Sequence, residues 1–141
     1  MVAGRRAGAR GHLRRLTLAG VSRALEIVGA VAEVGYVHAE TMGRGDDALG
    51  AKLMGSSLRT LATIDEKPDA IVFYNAAVRL LAPGSPHLEA LLALHAAGVD
   101  LLACVTCLEF YALTGRLAVG QVSNTREIVQ RTTAATKVIT V

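Results

Sequence analysis

Short apolar runs, each followed by a stretch able to form a helix, constrain this chain more than any other feature. Ala70-Ile-Val-Phe-Tyr74 is apolar at nearly every position, and Val99-Asp-Leu-Leu-Ala103 repeats the theme. A strand that faced water on one side would alternate polar with apolar residues; a continuous run needs cover on both faces. Parallel sheets obtain that cover from the helices that connect their strands. Aromatic residues are only 4% and tryptophan is absent, so the core must be built from Ala, Val, Leu and Ile. At 52% apolar and 19% charged, the chain is not of disordered composition.

From about residue 34 the pattern repeats. Val34-Gly-Tyr-Val37 reads as a first strand, followed by the glycine-rich loop Thr41-Met-Gly-Arg-Gly-Asp46. Asp46 or Asp47 can cap a helix to about Ile64, with Leu49, Leu53, Met54, Leu58 and Leu61 on its apolar face. Asp65-Glu-Lys-Pro68 breaks that helix, and the run at 70–74 is the second strand, closed by Asn75. Residues 76–82 are a short apolar segment. Ser85 and Pro86 fit the cap and first position of a helix to about Ala97. The third strand ends at Ala103, and a helix from about Thr106 to Leu113 follows it. Residues 117–122 hold a short fourth strand. Asn124 or Thr125 caps a last helix, and Lys137-Val-Ile-Thr-Val141 is the fifth strand. This order predicts an α/β domain of three layers over residues 34–141, with a five-stranded, mainly parallel sheet. Reactive residues in such a sheet collect beyond the carboxyl ends of the strands. The glycine loop, Asn75 and Cys104 all fall there.

The formal charge of +3 is unevenly placed. Residues 1–23 hold six arginines and no acid, which leaves nine Lys/Arg against twelve Asp/Glu in the remainder. Residues 1–33 are therefore expected to form a basic, poorly ordered leader. A translated region upstream of the true start, a remnant of a lost domain and an organelle transit peptide are the other readings; scarcity of Ser weakens the last. The acidic remainder carries no basic stripe interleaved with aromatics, so no nucleic-acid partner is expected. No apolar run reaches the length of a membrane span, so no membrane partner is expected either.

Cys104-Val-Thr-Cys107 is the strongest chemical signal. Two cysteines three apart cannot build a disulfide framework, and such a pair suits a reducing, cytoplasmic compartment. The thiolate is the reactive form of cysteine, and a helix N-terminus lowers the pKa of a thiol placed there. Both cysteines lie where the third strand feeds a helix. Cys104 is expected at the tip of that junction and Cys107 about one turn into the helix. A thiolate so placed can hold a sulfane sulfur as a persulfide, while the second thiol assists. The alternatives are two buried structural cysteines and zinc. Zinc needs four ligands and only one pair is present without a nearby His, so neither metal nor cofactor is expected. Gly43, Arg44, Gly45 and Asp46 are candidate pocket residues, because glycine permits close backbone approach and the loop leads into a helix. The motif is not a dinucleotide fingerprint, and a plain turn with an Asp cap explains it equally well. Asn75 is the remaining candidate for the pocket wall.

Gly43-Arg-Gly-Asp-Asp-Ala-Leu-Gly50, Ile71-Val-Phe-Tyr-Asn75 and Cys104-Val-Thr-Cys-Leu-Glu-Phe-Tyr111 together resemble the YedF proteins. Leu117-Ala-Val-Gly120, Val122-Ser-Asn124 and Lys137-Val-Ile extend the resemblance to the end of the chain. These are sulfurtransferase-like proteins tied by name to selenium metabolism, and their C-terminal half is a DsrE/DsrF-like domain. The resemblance implies a flavodoxin-like three-layer fold, a homo-oligomer and a sulfur-carrying cysteine after the third strand, which is Cys104 here, with Cys107 as the second cysteine of the motif. Val105 departs from the pattern, which usually has glycine. Residues 1–33 contain neither Cys nor Pro, so they do not match the TusA-like domain that usually precedes this one, and the expectation is either a TusA-like sulfur carrier acting in trans or a chain that is a fragment. The expected function is sulfur relay by a persulfide carrier. The alternatives are a dithiol-disulfide redox module and a non-catalytic oligomeric module that binds an anion at the glycine loop.

Overall fold

The computed structural model describes residues 32–141. The expectation of a leader falls almost wholly on residues 1–31, outside the described residues. In chain order the elements are β1 (Glu33–Val37), α1 (Asp47–Thr63), β2 (Ala70–Phe73), a 3-10 helix (Asn75–Leu81), α2 (Leu88–Ala96), β3 (Asp100–Cys104), α3 (Val105–Phe110), β4 (Gln121–Ser123), α4 (Thr125–Ala134) and β5 (Lys137–Thr140). The five strands form one sheet in the order β4-β3-β2-β1-β5. Every pairing is parallel, with Val34 opposite Ala70 and Val138, and Ile71 opposite Leu101.

Side chains alternate across a strand, and here both sets are apolar. Val37, Ile71, Phe73, Leu101 and Ala103 face one side, where they meet Met54 and Leu58 of α1, Leu91 and Leu94 of α2, and Leu108 of α3. Val34, Val72, Leu102 and Cys104 face the other side and meet Ile128 of α4. These are the three layers that the continuous runs require. Phe73, Val72, Leu102 and Ala103 are wholly buried. Burial of one such side chain stabilises by roughly 1.5–3 kcal/mol for the larger types, so the centre of the sheet anchors the domain.

Local rules explain most boundaries. Asp46 caps α1, its Oδ1 accepting the Leu49 N–H at 2.8 Å. Asn124 caps α4 in the same way, accepting the Glu127 N–H at 2.9 Å. Three details differ from the sequence reading. Leu49 and Leu53 of α1 are 55% and 44% exposed, and the helix packs instead through Gly50, Met54, Gly55 and Leu58. Gly50 takes the loop that precedes the helix, where a Cβ would lie 2.8 Å from the Thr41 Cβ. The helix expected from Pro86 begins at Leu88, and the Ser85 hydroxyl accepts from the His87 N–H just before it. Residues 76–82 form most of a 3-10 helix whose Ala77, Val78, Leu80 and Leu81 are buried.

Candidate functional site

The site lies at the carboxyl ends of β2 and β3. Residue parity in β3 decides where the first cysteine points. Leu101 and Ala103 belong to the α1–α2 side, so Leu102 and Cys104 turn toward α4. Cys104 is 1% exposed and packs with Val34, Val72, Leu102 and Ile128. Helix α3 starts at the next residue, which brings the Thr106 and Cys107 amides round to its sulfur. Burial pushes the Cys104 thiol up. The Cys107 N–H and thiol, the Thr106 N–H and the Thr125 hydroxyl outweigh that, and the net pKa lies below the ordinary thiol value. Thr125 is the first residue of α4, so both layers contribute donors.

Cys107 sits one turn into α3 and is partly exposed. Its sulfur accepts the backbone N–H of Asn75 at 3.1 Å. Burial raises its pKa; the Asn75 hydrogen bond opposes that, and the thiol–thiol contact and negative charge of Cys104 add to the rise. The two cysteines are therefore unlike: a buried one whose pKa is lowered and a more accessible one whose pKa is raised. Both are free.

A cavity of about 480 Å³ opens on Cys107 and is walled by Tyr36, His38, Tyr74, Asn75, Thr106, Phe110 and Tyr111. Four of the five aromatic residues of the chain stand here; the fifth, Phe73, is in the core. Tyr36 and Tyr74 lie with ring centroids 5.1 Å apart, and Phe110 meets Tyr111 edge-on at 5.0 Å. Burial, then the neighbouring Tyr36 and Cys104, push Tyr74 up to about 12, so its phenol is neutral across the physiological range. No carboxylate lines the cavity. A larger groove of about 650 Å³ between α1 and β5 is lined mostly by hydrocarbon, including Met54, Leu58 and Ile139, and has no thiol.

Measured against the sequence reading, Cys104, Cys107 and Asn75 do converge. Two expectations need correction. Cys104 is not at an open tip, because the parity of β3 turns it inward; Cys107 is the cysteine that meets the cavity. Gly43, Arg44, Gly45 and Asp46 are exposed and are not among the residues lining this cavity. Gly43 and Gly45 do take positive φ, 79° and 136°. The loop then folds back on α1, the Met42 N–H bonding the Gly50 carbonyl at 3.1 Å, instead of reaching toward β3. Sequence reasoning passed over Tyr36, Phe110, Tyr111 and Thr125. The first three carried a usable signal, since aromatic residues this scarce are informative wherever they gather. Among the described residues no group of three or more His, Cys, Asp or Glu side chains is placed to hold a metal, and no helix is long and apolar enough to cross a membrane.

The chain matches no protein-family model and no curated protein. It is similar in structure to the ychN protein from E. coli, with a TM-score of 0.56 and 16% identity over 79% of this chain and all of that one. It is also similar to MTH1491, a protein of unknown function from Methanobacterium thermoautotrophicum, with a TM-score of 0.58 and 23% identity over 79% of this chain and 99% of that one. At such identities the likeness speaks to architecture alone: a three-layer α/β fold around a five-stranded, wholly parallel sheet.

Proposed function

We propose that this protein is a persulfide carrier in a sulfur relay, working through the pair Cys104 and Cys107. The observation that carries the reading is the pairing of a buried Cys104, whose sulfur gathers hydrogen-bond donors that lower its pKa, with a Cys107 thiol that faces an aromatic cavity. Cys104 accepts a hydrogen bond from the Cys107 thiol, so the proton can pass inward along that bond. Cys107 then becomes the nucleophile at the cavity, and Cys104 its base. The Cys107 thiolate attacks the outer sulfur of a donor persulfide, R–S–SH. A sulfur–sulfur bond forms to Cys107, the donor's sulfur–sulfur bond breaks, and the donor leaves as a thiolate. The product, Cys107–S–SH, passes its outer sulfur to an acceptor by the same step in reverse. No external oxidant or reductant is consumed.

The resemblance to YedF proteins supports a TusA-like carrier acting in trans as donor or acceptor, a homo-oligomeric assembly and a cytoplasmic setting, and it raises selenium as an alternative cargo. A second reading, a dithiol-disulfide module, is favoured by the same thiol–thiol contact. The experiment exposes the chain to a persulfide donor and weighs it intact. Loading adds about 32 Da per sulfur. Cys107→Ser is expected to abolish loading, and Cys104→Ser to keep it while moving its pH profile to lower pH. Loading of Cys107→Ser at the native rate would refute the role given to Cys107. Reversible loss of two hydrogens in place of sulfur gain would favour the dithiol-disulfide reading.

A further inference from the structure

Asn75 is one of two non-glycine residues with positive φ among those described, at 52°. This left-handed conformation is unfavourable for an ordinary L-residue and less so for Asn. It also turns the chain sharply at the end of β2 and starts the 3-10 helix, which leaves the Asn75 N–H without a helical partner. That N–H is the one that donates to Cys107 Sγ at 3.1 Å. The side chain of the same residue is held from the opposite direction: the Tyr111 hydroxyl donates to Asn75 Oδ1 at 2.8 Å. Tyr111 is in turn fixed on its face. The Arg79 guanidinium carbon stands 4.3 Å from the ring centroid, and Arg79 Nη1 pairs with Glu40 Oε1 at 2.9 Å. A chain of contacts thus runs from Glu40, through Arg79 and Tyr111, to the residue that faces the reacting sulfur.

We propose that Tyr111 is a positioning residue, which holds Asn75 in its left-handed turn and so aims the Asn75 amide at the negative charge that forms on Cys107 during sulfur transfer. A donor aimed in advance at developing charge stabilises it without reorganisation. The inference rests on the relay reading for its purpose, since Cys107 must become an anion for the amide to matter. The remaining titratable groups that face Cys107 are Cys104, Tyr36, His38 and Tyr74, with Arg79 and Glu40 behind Tyr111. Tyr111→Phe changes none of these and removes one hydroxyl.

The test follows the pH profile of Cys107 alkylation by iodoacetamide in the full chain, with the modified site located by peptide mass. Tyr111→Phe is expected to move the Cys107 midpoint to higher pH and to slow its reaction at neutral pH roughly threefold to tenfold, as befits weakening one hydrogen bond to a charged sulfur. Asn75→Gly keeps the turn and the N–H but loses the acceptor for Tyr111, and should show the same shift; it serves where Tyr111→Phe does not fold. Arg79→Lys keeps the charge beside Glu40 but loses the planar stack, and should shift the midpoint less in the same direction. Profiles of Tyr111→Phe or Asn75→Gly that overlay the native one, in a folded protein, overturn the proposal. Alkylation needs no sulfur donor. If the shift appears while the native chain takes up no sulfur, this inference stands and the relay reading falls; if sulfur is taken up and no shift appears, the reverse holds.

Discussion

Gly120 lies so close to Leu101 that a Cβ built on it would stand 2.8 Å from the Leu101 carbonyl oxygen. Its φ is 84°, a region where glycine is at ease and other residues are not. The glycine thus lets the chain press against β3 just before β4 begins. Strand β4 then pairs Ser123 with Cys104. The Ser123 hydroxyl donates to Glu127 Oε2 at 2.6 Å and Asn124 caps α4, which together set Thr125 over the Cys104 sulfur. Gly120→Ala should therefore act on stability and on the site at once. The left-handed backbone alone costs about 1–2 kcal/mol, and the clash with a main-chain oxygen adds to it. A fall in Tm of roughly 5–10 °C is expected. Because Thr125 would be pulled from its place, the Cys104 thiolate should also form at higher pH. Melting followed by circular dichroism and thiolate absorbance check the two effects separately. A variant with native Tm would show that β4 does not depend on this contact.

The two thiols should titrate in two steps. Thiolate absorbance of the native chain is expected to rise once below and once above the ordinary thiol value of about 8.5. The steps belong to the coupled pair, and variants identify the partner that dominates each. Cys107→Ala removes a donor from Cys104, so the remaining step should move up. Cys104→Ser removes the negative neighbour of Cys107, so the remaining step should move down. The signs for stability follow. Cys104, an acid whose pKa is lower folded than unfolded, stabilises the fold above its unfolded pKa, and that contribution is lost as pH falls through the folded value. Cys107, raised on folding, contributes below its unfolded pKa and loses that contribution as pH rises toward the folded value. One merged step near 8.5 in the native chain would contradict the unlike environments of the two sulfurs.

Much of this arrangement was legible in the sequence, and the exceptions have physical causes. The runs at 70–74 and 99–103 required a covered parallel sheet because no alternation of polar residues marks a wet face, Asp100 standing alone at the start of β3. The same uniformity hid which cysteine meets the cavity. Leu101 and Ala103 are as apolar as Leu102 and Cys104, so nothing in the run tells one side of β3 from the other, and only the packing of α4 decides. Residue pairs were legible where the rule is local, as with Asp46 and Asn124 at their helix starts. The glycine loop misled because positive φ was correctly read while its direction was not. Whether residues 43–46 turn toward β3 or back on α1 depends on the fit of Gly50 against Thr41, a contact between elements. Tyr111 and Asn75 are 36 residues apart, and no local pattern joins them.

Phe110 gives a prediction that separates small donors from protein donors. It borders the Cys107 cavity yet is 81% exposed. Among the described residues no exposed large apolar side chain is more open to water. A side chain that buries so little contributes little to the fold, so Phe110→Ala should change stability by no more than about 0.5 kcal/mol. Exposed aromatics beside a reactive group commonly anchor a partner, because they bring large contact area at small entropic cost. Under the relay reading, a protein persulfide must bring its sulfur to Cys107 past Phe110, while a small persulfide needs no such contact. Phe110→Ala should therefore load sulfur from a small donor at close to the native rate and from a TusA-like protein donor at least roughly tenfold more slowly, the effect of losing an anchor of modest strength. Rates from intact mass against time, measured with both donors, check this. Equal slowing with both donors would place Phe110 in the chemistry of the cavity instead of in partner docking, and no slowing with either would remove it from the site altogether.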